Sequence, residues 1–349
     1  MLCFCQWITH TKEHLMLPRI ILLTTGGTIA SLQTESGLAP AMTAEDILRL
    51  CPGLAGQARI EARDVFSLDS SNIQPEEWQQ LARAVCDAAR DCEGIVITHG
   101  TDTMAYSASA LSFMLQGLNI PVVLTGSQLP LNHPLSDAPA NLSEAFTVAT
   151  HAAPGVYVAF HHKVIYGTRA VKLRTLGFDA FDSINAPAVG YFDADGLHMQ
   201  NAIAPCGQVA VSIPPEDMLL IEPRVFLLKL MPGTDPEIFD HIIRAGYQGL
   251  VIEAFGLGGL HYIRRNLLDC LGALSEKHIL TLVTTQCLDE KADFSIYEVG
   301  RHVLQSSVWG AHDMTTEAAL TKLMWVLGDR DKRLPLIGRC LAHEMIEQG

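Results

Sequence analysis

Basic charge is scarce in this chain. Against 38 acidic residues stand 24 lysines and arginines, a formal net charge of −14. No basic face remains to neutralise phosphates, so nucleic acid and anionic membrane are excluded as expected partners and a small polar substrate fits better. Long apolar runs are missing too: nothing approaches the roughly 18 uninterrupted apolar residues of a spanning helix. Gln6, His10, Lys12, Glu13 and His14 interrupt any signal-peptide core near the start. The nine cysteines are odd in number, scattered, and without a CxxC pair, which reads as a reducing compartment, and the chain is expected in the cytoplasm. Familiar signatures are also lacking. There is no GxGxxG after the first strand, no GxxxxGK[ST], no GxSxG and no HExxH, which removes dinucleotide, P-loop, serine-elbow and zincin readings. His161-His162 and His343-Glu344 lack metal-ligand spacing and are expected to be structural or on the surface. His99 is expected to hydrogen-bond its own loop.

What is present is length and apolar content. With 349 residues and 48% hydrophobic composition the chain can fill two cores. Residues 20–23 form a continuous branched run, the pattern of a strand buried on both faces of a parallel sheet. Gly26-Gly27 end it and place Thr28 just past the strand's carboxyl end, where open α/β sheets bind ligands. The polar stretch 31–42, with Gly37 and Pro40, reads as a loop and candidate lid. Thr43 and Asp46 resemble a capping box opening a helix through Leu50. A second strand over 60–68 ends in Asp69-Ser70-Ser71-Asn72, and Pro75 with Trp78, Leu81, Ala82, Val85 and Ala89 gives an amphipathic helix.

The pattern then repeats. Strand 94–98 halts at His99-Gly100-Thr101-Asp102-Thr103, before a helix over 104–116. Strand 121–124 halts at Thr125-Gly126-Ser127-Gln128, a loop runs through Pro139, and a helix follows over 140–150. Further β structure leads to Lys172. This alternation implies an α/β fold with a larger N-terminal, mainly parallel domain over 16–201. Residues 202–223 carry four prolines and read as a linker, and 224–349 as a smaller C-terminal α/β domain. Its expected strands are 225–230, 249–254 and 279–284, with helices over 236–245, 264–274 and 316–327. Residues 1–15 have no periodicity and are expected to be an unstructured extension or a mis-assigned start, with Met16 as initiator.

Three strand ends thus offer hydroxyls, a carboxylate and main-chain amides: Thr28, Asp69-Ser70-Ser71 and Thr101-Asp102, with Lys172 arriving later. That inventory suits acyl transfer. A threonine hydroxyl is a weak nucleophile and needs a base or an oxyanion site to attack an amide. Lys172 can supply the former, and Asp102 suits an ammonium group. Each residue alone has an ordinary explanation, as a turn, a helix cap or a solvated face; their joint occurrence carries the inference.

At these residues the chain resembles the bacterial-type L-asparaginases and related amidohydrolases. Thr25-Gly26-Gly27-Thr28-Ile29-Ala30 is similar to that family's first signature and His99-Gly100-Thr101-Asp102-Thr103-Met104 to its second. The resemblance continues through Asp69-Ser70-Ser71, Thr125-Gly126-Ser127-Gln128, Lys172, Thr285-Gln286-Cys287 and Ser295-Ile296-Tyr297-Glu298-Val299-Gly300, nearest to the cytoplasmic type I branch. It implies that Thr28 is the primary nucleophile, forming an acyl-enzyme with the side-chain carbonyl of L-asparagine. It implies that Thr101 and Lys172 activate nucleophile or water, that the Thr101 amide helps hold the oxyanion, and that Asp102 grips the substrate's α-ammonium. Asp69, Ser70 and Ser71 would bind its α-amino and α-carboxylate groups. No metal or organic cofactor is implied, and the family's assemblies are homodimers or homotetramers.

Two departures stand out. Many relatives carry a lid tyrosine, whereas Ser36-Gly37-Leu38-Ala39-Pro40 has none: Leu38 occupies the nearest position and Glu35 lies beside it. Some type I enzymes also bind asparagine at an effector site through an arginine where this chain has Glu253, so a hyperbolic velocity curve is expected. Besides asparagine hydrolysis with weaker glutamine activity, two readings compete: the subunit that releases ammonia from glutamine to amidate misacylated tRNA, and a non-catalytic amino-acid sensor. Ammonia release from asparagine separates the sensor from the enzymes.

Overall fold

The computed structural model describes residues 17–34, 37–200, 213, 215–293 and 308–346. The first run is strand β1 (Arg19–Gly26), longer than the apolar stretch that announces it. Thr24 and Thr25 stay in the strand because each hydroxyl finds a partner, Asp64 Oδ1 at 2.5 Å and the Thr98 carbonyl at 2.9 Å. Around β1 an eight-stranded sheet has the order β12-β11-β8-β7-β6-β5-β1-β4. Its parallel half comprises β4 (Arg59–Leu68), β1, β5 (Gly94–Thr98), β6 (Pro121–Thr125) and β7 (Gly155–Phe160). The remainder, β8 (Lys163–Tyr166), β11 (Gly190–Asp193) and β12 (Gly196–Met199), adds antiparallel strands at one edge. The chain leaves β1 for β4 on one side and then builds β5, β6 and β7 on the other. The carboxyl end of β1 is therefore a topological switch point.

Successive β1 residues feed two cores. Ile21 and Leu23 join a cluster with helices α2 (Pro75–Ala88) and α3 (Met104–Met114). Ile20 and Leu22 face helices α1 (Ala44–Leu50) and α4 (Ala138–His151) on the other side. Helix α1 opens with the expected capping box, Thr43 and Asp46 bonding each other reciprocally.

Three boundaries differ from the sequence reading. Residues 31–42 are not simply a loop: β2 (Ser31–Thr34) and β3 (Gly37–Pro40) pair as an antiparallel hairpin. Two four-residue strands of mostly small and polar residues are too short to show a period, and Pro40 lies at the hairpin's open end, where proline is tolerated. Helix α4 begins two residues earlier than expected because Pro139 sits in its first turn, where no intrahelical N–H is required. In the second domain the helix expected over 264–274 starts at Leu268, since Arg265 adopts a left-handed φ of 51°.

That smaller α/β domain holds a parallel sheet of β13 (Val225–Lys229), β14 (Gly249–Ala254), β15 (Leu280–Thr285) and β16 (Val308–Gly310). The hairpin β9 (Ala170–Lys172) and β10 (Phe181–Ser183) belongs to the first. Of the segment read as a linker, 202–212 and 214 lie outside the described residues, and helix α5 (Pro215–Met218) precedes buried Leu219. Helices α6 (Glu237–Arg244) and α7 (Leu268–Glu276) share the second domain's own core with its strands. Helix α8 (Thr316–Gly328) packs on α3, with Phe113 and Trp325 rings 6.3 Å apart. Helix α3 is buried on nearly every side, its Ser107, Ser109 and Ser112 included, because both domains cover it.

After helix α9 (Arg330–Arg333) the chain returns to the first domain. Glu344, fully buried, takes Lys322 Nζ at 2.6 Å and the amides of Leu341 and Ala342. Fully buried Arg169 donates to Asp313 Oδ2 at 2.9 Å and to the His343 carbonyl at 2.6 Å. The loop before β9 is thereby braced from the second domain. Among the described residues no helix is long and apolar enough to cross a membrane.

Candidate active site

Backbone contacts between glycines assemble the site. Gly26 and Gly27 have φ of 98° and 76°, and a Cβ on Gly27 would lie 2.4 Å from the Gly100 nitrogen. A Cβ on Gly26 would lie 2.5 Å from the Leu68 backbone, and one on Gly100 would lie 2.6 Å from the Ser70 side chain. A Cβ on Gly126 would meet the His99 carbonyl at 2.3 Å. Only glycine lets the ends of β1, β4, β5 and β6 approach this closely. The Gly27 amide donates to the Leu68 carbonyl at 2.9 Å, and Thr103 Oγ1 to the Ser70 carbonyl at 2.8 Å, which ties the three ends together.

On this platform Thr28, half-buried, opens a single 3-10 turn whose next two residues are buried; Ser31 Oγ holds that turn by donating to the Gly27 carbonyl at 2.8 Å. Asp69 is exposed and accepts the Ser71 amide at 2.8 Å, capping its own turn; Ser70 is buried behind it and Ser71 lies at the rim. Thr101 is buried. Lys172, at the end of β9, donates to Thr101 Oγ1 at 2.8 Å and to Asp102 Oδ1 at 2.5 Å. Its side chain is only 15% exposed, so it is no solvated-face lysine, while Asp102 is 62% exposed. Nor is Asp102 a helix cap: Thr103 holds that position on α3, and the carboxylate turns to Lys172 instead.

The residues picked from sequence therefore fall into two joined groups. Lys172, Thr101 and Asp102 bond directly, and Thr28 and Ser70 meet them through Gly27 and Gly100. Glu35, the side chain of Leu38 and the stretch 295–300 lie outside the described residues. Sequence reasoning assigned no role to Gln128. Its Oε1 accepts the Thr101 hydroxyl at 3.3 Å, and its backbone amide donates to Asp137, which also accepts from Leu129 and Asn141. Its signals were its place at a fourth strand end and its inclusion in the resembling segment Thr125-Gly126-Ser127-Gln128. His99 does bond its loop, with Nδ1 2.7 Å from the Gly100 carbonyl, and burial pushes it down to about 4, so the neutral ring fixes the peptide preceding Thr101. His162, by contrast, pairs with Glu144 at 2.5 Å on the β7–β8 turn, away from this constellation.

Arranged this way, the group offers a hydroxyl at a strand end, a lysine–threonine pair for proton handling, and an exposed carboxylate for a cation. Comparisons with known proteins show the family. Residues 19–204 match the family model described as "Asparaginase, N-terminal" and 224–334 the "Glutaminase/Asparaginase C-terminal domain". An L-asparaginase of Thermococcus kodakarensis is 46% identical over 332 residues, spanning 94% of this chain and 99% of that protein. A glutamyl-tRNA(Gln) amidotransferase subunit from Methanosarcina mazei is 35% identical over 344 residues, 95% of this chain and 80% of that one. Among solved structures, the thermostable L-asparaginase from Thermococcus kodakarensis superposes with a TM-score of 0.84 at 43% identity, covering 95% of this chain and all (100%) of that one. The L-asparaginase I from Vibrio cholerae gives 0.81 at 29% identity, with coverage of 95% and 100%.

Proposed function

This chain belongs to the asparaginase family, and from that membership we propose that it hydrolyses L-asparagine to L-aspartate and ammonia. The observation that carries the reading is the Lys172–Thr101–Asp102 network at the end of β5, with Thr28 delivered beside it by the Gly27–Gly100 contact. Thr28 Oγ attacks the side-chain carbonyl, its proton passes towards Thr101 and Lys172, and ammonia leaves. Water, activated by the same pair, then cleaves the ester and frees aspartate. The Thr101 amide helps hold the oxyanion. Asp102 is exposed enough for its second oxygen to receive the α-ammonium while the first holds Lys172, and Asp69, Ser70 and Ser71 take the amino-acid head.

In finer detail the chain fits the bacterial-type, cytoplasmic type I branch, acting without metal or organic cofactor as a homodimer or homotetramer. Leu176 and Phe178 beside Lys172, and Tyr262 and Ile263 on the second domain, are exposed apolar residues that an intersubunit contact would cover. Sedimentation is expected to give a dimer or larger. Glu253, bonded to Lys229 at 3.2 Å and Thr316 at 2.7 Å, supports the hyperbolic velocity curve expected where relatives use an arginine. Domain limits of 16–201, 202–223 and 224–349 complete the reading.

Steady-state ammonia release with L-asparagine, D-asparagine and L-glutamine in parallel tests it. Thr28→Ala and Thr101→Ala are each expected to lower kcat by several decades, on the order of what removing a nucleophile or its base costs elsewhere. Wild-type turnover by Thr28→Ala would overturn the assignment. The relatives that belong to tRNA amidotransferases keep a glutamine-hydrolysing reading in view, and activity confined to glutamine would favour it. The higher identity to an asparaginase and the net charge of −14, which offers tRNA no basic face, favour asparagine.

A further inference from the structure

The geometry points to Gln128 as the positioning residue that orients the Thr101 hydroxyl and clamps the loop after Lys172 over it. This rests on the amide-hydrolysis reading above. Gln128 Nε2 donates to the carbonyls of Thr175 at 3.2 Å and Gly177 at 3.0 Å. A flipped amide would set its oxygen against both carbonyl oxygens, so the bonding pattern assigns Oε1 to the side facing Thr101. The threonine hydroxyl has one proton and two lone pairs. Lys172 Nζ, a donor at 2.8 Å, occupies one lone pair, so the proton goes to Gln128 and the second lone pair stays free for the reaction.

That hold is light by design of distance. At 3.3 Å the Thr101–Gln128 bond is longer than the 2.7–2.8 Å usual for hydroxyl donors, so the hydroxyl is aimed without being locked and can turn its proton towards Lys172 during transfer. The glutamine's own base is firm. Both Asp137 oxygens accept its backbone amide, at 3.1 and 3.0 Å, and Asn141 Nδ2 bonds Asp137 at 3.1 Å and the Gly126 carbonyl at 3.0 Å. The loop's base is closed by the Leu173 and Arg174 amides on the Ala180 carbonyl and by Arg174 on Asp179, while its tip lacks apolar burial, Leu176 being 89% exposed, so the two amide bonds tie that tip to Gln128. Gln128 therefore fixes both members of the proton-handling pair, Thr101 directly and Lys172 through the residues that follow it. It bonds none of Asp69, Ser70 or Asp102, the groups assigned to the substrate's amino-acid head.

The test compares wild type with Gln128→Met, which keeps the length and removes the three side-chain hydrogen bonds while leaving the backbone bonds to Asp137, and Gln128→Ala as a second variant should the first fail to fold. Ammonia release from L-asparagine is expected to lose at least tenfold in kcat with KM within about threefold and an unchanged melting temperature. A kcat within twofold of wild type, or a fall in kcat matched by a rise in KM, overturns the assignment while leaving asparagine hydrolysis standing. Should the wild type release no ammonia, that reading fails separately, and hydrogen exchange decides the clamp. Amides of residues 173–180 exchanging at least tenfold faster in the variant support it, and unchanged exchange overturns it.

Discussion

At the scale of single residues, a half-buried glutamate and a fully buried histidine pull stability in opposite directions across the acid range. Burial pushes Glu317, with Glu253 nearby, up to about 7 from an ordinary 4.5. Between those values the folded chain holds a proton that the unfolded chain has lost, so stability is lost as pH rises through them. His99 is pushed down to about 4 from 6.5. As pH falls between those limits the unfolded chain gains a proton that the folded one refuses, and stability is lost in that direction. The two slopes oppose each other from about pH 4.5 to 6.5. Glu317→Gln removes the first, so the variant is expected to be more stable than wild type at pH 8, by on the order of 3 kcal/mol at most, and to lose stability more steeply on acidification. Denaturant titrations across pH 4–8 check both slopes; an unchanged profile would show that Glu317 is ionised like any surface carboxylate. Thr28, Thr101, Asp102 and Lys172 were legible in the sequence because glycines and strand ends frame them. The role of Gln128 was not: it has no ionisable group, and the three partners of its side chain come from positions 27 to 49 residues away.

Elements read well wherever their period ran long enough. The strands buried on both faces and the amphipathic α2 fell where the apolar pattern put them. The β2–β3 hairpin did not, because each strand spans four residues, and the starts of α4 and α7 shifted with one proline and one left-handed arginine. What no period could reveal is how closely the strand ends touch. Gly27→Ala tests that closeness: a methyl there meets the Gly100 backbone at 2.4 Å, from a φ of 76° that alanine adopts only with strain. The β1 and β5 ends must part to admit it. Near-complete loss of ammonia release and a lower melting temperature are expected, and a variant with wild-type kcat would show that the site does not depend on this contact.

For the whole molecule, the division into a larger and a smaller α/β unit was legible from strand and helix alternation. The way the two are pinned was not. Arg169 of the larger unit pairs with Asp313 of the smaller across 144 residues, and nothing in local pattern matches such partners. Removing one member of a buried ion pair costs about 3–5 kcal/mol, because the survivor is left charged and unpaired. The same arginine leads on to the candidate lysine. Thr168 and Arg169 bond the carbonyls of Ala342 and His343, and Lys172 stands three residues beyond. The strand that carries the lysine is thus held by a segment that contributes no side chain to the candidate site.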